Sequence, residues 1–115
     1  MDNILFIKSR NFALRVINCY KYLDEKKHEY ILSKQLLRSA TSIGANIWES
    51  RNAQSRSDFL SKLNIALKEA DESSYWLDLL HASEYIDDTI YTSLHRDCDE
   101  LVSILTSIIK KLKRQ

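Results

Sequence analysis

The chain has 115 residues, 44% of them hydrophobic and 29% charged, with one Gly, no Pro and a formal net charge of +1. A chain of that length folds as one domain, residues 1–115, burying roughly two-thirds of the surface its extended form exposes. So little Gly and Pro removes the usual punctuation of hairpins and turns, which excludes an all-β fold and favours long helices. No apolar run approaches the roughly 18 residues of a membrane span, and no cleavable leader pattern opens the chain, so a soluble, cytoplasmic protein with no membrane partner is expected.

The near-neutral total hides an uneven distribution. Residues 1–56 hold ten Lys/Arg against five Asp/Glu, residues 57–109 hold three against eleven, and the closing KKLKRQ adds four positive charges. The ordinary reading is solvated helix faces with a basic tail complementing the last helix dipole. The sharper reading is a role in self-association or phosphate contact, since local basic clusters bind polyanions whatever the total charge.

In the first element Leu5, Phe12, Val16, Cys19 and Leu23 keep to one face of a helix running from about Ile4 to Leu23. The charged stretch Asp24 to Glu29 offers nothing apolar to bury and reads as a connection. Tyr30 to Ser33 leads into a second helix expected to reach about Ala53. On it Leu36, Ala40, Ile43 and Ile47 share one face, and Arg38, Ser42, Asn46 and Glu49 form a polar row beside them. Asn and Ser are mediocre helix formers, so a row containing them points to hydrogen bonds between helices or between subunits rather than to a surface chosen for propensity. Gly44, inside the apolar side, costs about 1 kcal/mol relative to Ala unless a close backbone approach offsets it, which suggests a tight helix crossing there.

Ser55 followed by Asp58 is a capping box that starts the third helix. Its stripe is Phe59, Leu63, Ala66, Leu67, Ala70, Ser74 and Leu77. A second apolar group, Ile65, Trp76, Leu79 and Leu80, lies well round the other side, more than one core covers easily. The helix should stop near Glu84. Asp87 is then an N-cap for the fourth, with Ile86 and Tyr91 as its hydrophobic staple. There Leu94, Cys98, Leu101, Leu105, Ile108 and Leu112 repeat like a coiled-coil seam. Similar lengths and short connections predict an all-α, antiparallel up-down-up-down four-helix bundle.

Catalytic chemistry is not legible. His28, His81 and His95 belong to no metal-binding spacing, and no Arg precedes a His at the spacing of helical ribonucleases. One Gly cannot build a phosphate loop. Cys19 and Cys98 sit in apolar stripes as small reduced hydrophobes. No cofactor, metal ligand set or small-molecule substrate is implied, and the expected protein is not an enzyme. A hydrolytic site assembled between subunits is the least favoured alternative.

The segments LLRSATSIGANIWES, QSRSDFLSKLNIALKEADESSYWLDLL and DCDELVSILTSIIKKLK resemble the four-helix-bundle proteins named for 23S rRNA intervening sequences, over almost the whole chain. A related group comprises accessory variability proteins of diversity-generating retroelements. The resemblance implies a homopentamer of antiparallel bundles and, from the retroelement relatives, contact with nucleic acid and a nucleic-acid-processing protein through a basic barrel. Trp48-Glu49-Ser50 departs from the Glu-Ala or Glu-Gly that members often carry there, and the chain lacks the retroelement group's strong basicity. The expected function is a scaffold or accessory factor near RNA; a protein-partner adaptor without a nucleic-acid role is the alternative. Candidate oligomer or partner contacts are Arg38, Ser42, Asn46, Trp48, Glu49, Ile65, Trp76 and Leu79. Candidate nucleic-acid contacts are Arg10, Arg15, Lys21, Lys110, Lys111, Lys113 and Arg114.

Overall fold

The computed structural model describes residues 3–114 and, at Asn3, the backbone alone. Four helices, α1 (Asn3–Glu25), α2 (Leu32–Ser50), α3 (Arg56–Ala82) and α4 (Asp88–Lys113), form an all-α bundle measuring 47 × 21 × 20 Å. Each helix packs on its two neighbours in a closed square, α1 on α2, α2 on α3, α3 on α4 and α4 on α1. Connections of a few residues make consecutive helices antiparallel.

The α1 stripe packs as expected: Leu5, Phe12, Val16, Cys19 and Leu23 are all buried, and so are Leu36, Ala40, Ile43 and Ile47 of α2. In α4 the buried line is Leu94, Cys98, Leu101, Leu105 and Ile109, with Ile108 and Leu112 only partly covered. A straight helix advances by 3.6 residues per turn, so a strict heptad line drifts off the core and Ile109 takes the place expected for Ile108. In α3 the buried line Leu63, Ala66, Ala70, Ser73, Leu77 and Leu80 alternates steps of 3 and 4, which puts Ser73 rather than Ser74 in the core. The second apolar group of α3 is largely absorbed within the chain: Leu80 is fully buried, and Trp76 packs against the core cluster.

Helix ends follow local chemistry. Ser55 Oγ accepts from the Asp58 amide at 3.0 Å, and the Asp58 carboxylate accepts in turn from the Gln54 amide at 3.1 Å, one residue before the Ser55 amide of an ideal capping box. Asp87 Oδ1 accepts from the Ile90 amide at 2.8 Å, with Ile86 buried before it. α2 stops at Ser50, short of the expected Ala53, because the amides of Arg51, Asn52 and Ala53 turn back to carbonyls three residues earlier in a tightened last turn.

The α1–α2 connection differs from the expected solvated charge run. Glu29 is 7% exposed. Its carboxylate accepts from the amides of Ile31, Leu32 and Ser33 at 3.1, 2.9 and 2.7 Å, capping α2 from outside the helix. Burial alone would raise its pKa, but these bonds and that from the Ser33 hydroxyl outweigh it, and the carboxyl lies below its ordinary value. A buried charge is tolerated here because the first amides of a helix are unpaired donors at the positive end of its dipole.

Candidate interaction surface

The polar row of α2 lies along the α2–α3 seam and is largely engaged within the chain. Arg38 forms ion pairs with Glu72 and, at 3.2 Å, with Glu69; Glu49 pairs with Lys62 at 3.2 Å. Asn46 Nδ2 donates to the Ser42 carbonyl one turn back at 2.8 Å. Arg38 and Glu49 therefore join α2 to α3 within the chain, with side chains that stay 47% and 56% exposed. Sequence could not single out Glu69, Glu72 and Lys62 as their partners, since nothing in a linear pattern sets the register between two helices. Behind the row, Ser39 and Ser73 meet in the core with Oγ atoms 2.8 Å apart, a contact that periodicity alone did not flag.

Trp48 has a different setting. It is 61% exposed, at one wall of an apolar groove of about 400 Å³ between α1 and α2. Phe6, Ile7, Ser9, Arg10 and Ala13 line it from α1, and Thr41, Gly44 and Ala45 line it from α2 beside Trp48. The Arg51 guanidinium stacks 3.6 Å over the Trp48 ring and leans toward Phe6. Apolar exposure runs beyond the groove along α1, where Ile4, Ile7 and Leu14 are each roughly half open. Gly44 faces the Ser9 backbone of α1, but the crossing is not so tight as to require Gly: a Cβ there would sit 3.8 Å from the Ser9 carbonyl oxygen, an ordinary contact.

On the opposite corner of the square, α3 turns Ile65 and Tyr75 outward at 39% and 55% exposure. Tyr75 meets the Trp76 ring edge-on at 5.1 Å. Trp76 and Leu79 are half-buried, and the Trp76 Nε1 is buried without an acceptor.

The structure divides the basic candidates. Arg15 is held by Asp97 and by the backbone and hydroxyl of Ser93, tying α1 to α4. Lys21 is exposed near the far end of α1. The exposed side chains of Lys110, Lys111, Lys113 and Arg114 end α4, and the Arg56 side chain, at the start of α3, donates to the Leu112 carbonyl, so these groups share one end of the bundle. Arg51 closes α2 at that same end, with Arg10 farther along α1. At the other end the α3–α4 turn brings Glu84, Asp87 and Asp88 together. The uneven charge of the sequence thus becomes an axial polarity, because antiparallel helices place the start of α3 beside the end of α4.

Reactive groups are quiet. Burial, only partly opposed by Arg15, pushes the Cys19 thiol up to about 11. Burial, reinforced by Asp99, Asp71 and Asp97, pushes that of Cys98 up to about 12. Cys98 Sγ donates to the Ala70 carbonyl. His81 Nε2 lies 2.6 Å from Asp88 Oδ1 and its ring stacks on Tyr91, while His95 Nδ1 lies 3.2 Å from Asp99. Among the described residues no group of three or more His, Cys, Asp or Glu is placed to hold a metal ion, and no helix is long and apolar enough to cross a membrane.

Fold and surface define an antiparallel four-helix bundle with an open apolar groove on one hairpin and a basic end. The chain belongs to the 23S rRNA-intervening sequence protein family, whose sequence model matches residues 1–107. It is similar to the crystal structure of a protein of unknown function from the S23 ribosomal protein family of Bacteroides thetaiotaomicron, at 54% identity and a TM-score of 0.93 over 95% of this chain and 97% of that one. No curated protein matches.

Proposed function

We propose that this protein is a non-enzymatic, cytoplasmic scaffold that self-associates through its α1–α2 face, as the homopentamer the family resemblance implies, and holds RNA at its basic end. The single observation that carries the reading is the groove, where Trp48 and Ile7 stand 61% and 57% exposed beside an otherwise well-covered core. Contiguous apolar exposure of this kind marks surfaces that other macromolecules cover. A ring of copies multiplies weak contacts, so modest basic patches gain useful avidity. Lys110, Lys111, Lys113 and Arg114 supply the phosphate contacts, with Arg10 as a flanking group.

Light scattering on the intact chain at micromolar concentration tests the first half; a stable monomer rejects it. Binding to single-stranded RNA, measured at increasing salt, tests the second. The expected result is a logarithmic loss of affinity with salt and a shallower slope when Lys110 and Lys111 are replaced by Gln. RNA binding that ignores salt, or none at low salt, rejects the electrostatic contact. The adaptor reading draws on the acidic second half of the chain, and a protein partner retained after nuclease treatment would favour it.

A further inference from the structure

We propose that the α1–α4 seam is an electrostatic latch: the folded bundle opens there first, with α1 parting from α4, and ionic strength sets how often it does so.

Topology singles out this seam. Of the four contacts that close the square, three join helices consecutive in the chain and held by a connection of a few residues. Only α1 and α4 meet without one, because they are the first and last helices. Parting them stretches no loop, since α1 stays tethered to α2 through residues 26–31.

The bonds across the seam are charged and open to water. Lys8, Asn11, Arg15 and Asn18 recur at steps of 3 and 4 on α1 and so share one face. Antiparallel to them, α4 presents Glu100, Asp97, Ser93 and Ile90 at the same steps. Lys8 pairs with Glu100 and Arg15 with Asp97, and these four side chains are between 40% and 47% exposed. The Arg15 guanidinium also donates to the Ser93 carbonyl at 3.3 Å and to its hydroxyl at 2.6 Å. Cations thus stand on one helix and anions on the other. Exposed pairs of this kind shift an equilibrium by roughly 1.4–5-fold each and are screened by salt.

The packing beside them is incomplete. A cleft of about 290 Å³ lies between Asn18, Cys19 and Tyr22 of α1 and Ile90 and Leu94 of α4, and a second of about 120 Å³ lies among Lys8, Asn11, Asp97 and Glu100. Atoms that line a gap forgo dispersion contacts, so the ion pairs carry a larger share of what holds this side closed. The α2–α3 seam differs, because its ion pairs lie beside the close buried contact of Ser39 with Ser73.

The two thiols report opening separately. Cys19 lines the larger cleft at 8% exposure. Cys98 is fully buried on α4 and donates to the Ala70 carbonyl of α3, across a seam that stays shut.

The test labels the full chain with uncharged iodoacetamide over hours, each rate divided by that of a free thiol at the same salt. Cys98→Ala reports Cys19, and Cys19→Ala reports Cys98, at a protein concentration where light scattering and circular dichroism give the same mass and helicity at both salts. Between roughly 20 mM and 1 M NaCl the screening length falls from more than about 10 Å to about 3 Å. Cys19 should then label at least threefold faster, and Cys98 at an unchanged rate. In the Cys98→Ala chain, Glu100→Lys should speed Cys19 at low salt, and adding Lys8→Glu, which restores the pair with its charges exchanged, should slow it again. A Cys19 rate that ignores salt overturns the latch. Equal acceleration of both thiols overturns the seam as the place of opening, since the whole chain is then unfolding. Acceleration by Glu100→Lys that the exchanged pair does not reverse overturns the ion pair as its cause.

Discussion

Ser39 of α2 and Ser73 of α3 face each other with hydroxyl oxygens 2.8 Å apart, both fully buried in the seam between the two helices. Each also has a carbonyl on its own helix within reach, Leu36 for Ser39 and Glu69 for Ser73. One proton lies between the hydroxyls and the other goes to a backbone carbonyl, so the pair is satisfied without water. Two small side chains in contact let the seam close where paired Leu residues would hold the helices apart.

Replacing one hydroxyl removes the shared bond but leaves the other Ser a backbone acceptor. Ser39→Ala or Ser73→Ala should therefore cost only about 0.5–1.5 kcal/mol, and the double Ala variant should cost less than the two single losses combined. Ser73→Leu should instead overpack the seam and cost about 1–3 kcal/mol. Denaturant melts of the parent and the four variants check this, and a tolerated Leu would show that the seam is not close-packed.

Glu29 gives the bundle an acid-sensitive joint. Its carboxyl lies below the ordinary value in the folded chain, so its contribution is complete above the unfolded value of about 4.3 and is lost as pH falls through the lower folded value. Glu29→Gln keeps the shape but not the charge, and should lose about 0.5–2 kcal/mol near neutral pH, the range of a helix cap. The difference in stability between parent and Gln variant should shrink on acidification below about pH 4. A difference that stays constant down to pH 2 would falsify the cap.

How legible all this is from sequence depends on whether a feature is local. The α1 stripe from Leu5 to Leu23, the Ser55 and Asp87 caps and the α4 seam each depend on residues within a few turns, and the structure has them with shifts such as Ile109 for Ile108. Glu29 escaped because a charged residue in a charged run gives no sign that its carboxylate folds onto the amides of the next helix. The polar row was readable as bonding between helices or between subunits, but Glu69, Glu72 and Lys62 as the partners of Arg38 and Glu49 were not, because register between helices comes from three-dimensional packing. Trp48 was legible as a contact candidate from its place at the edge of the apolar face, but the groove beside it needs α1 and α2 together.

Neither thiol should react in the folded chain. Cys19 and Cys98 are buried, and their values of about 11 and 12 leave little thiolate at pH 8. An aromatic disulfide reagent should titrate no thiol over minutes in buffer and both in denaturant. Rapid reaction of one thiol in buffer would reveal local opening of α1 or α4.

Trp48 and Trp76 provide an internal comparison for assembly. Trp48 is open at the groove in a single copy, whereas Trp76 packs against the core cluster with its indole nitrogen buried. A contact that covers the groove should shield Trp48 and leave Trp76 unchanged. Acrylamide quenching of Trp76→Phe, which retains only Trp48, should fall as protein concentration rises through the association range, with emission moving to the blue. Trp48→Phe should show quenching independent of concentration. Quenching of Trp48 that stays high in a sample already shown to be assembled would place the subunit contact on another face, because an indole half-open to water cannot remain so beneath a partner helix.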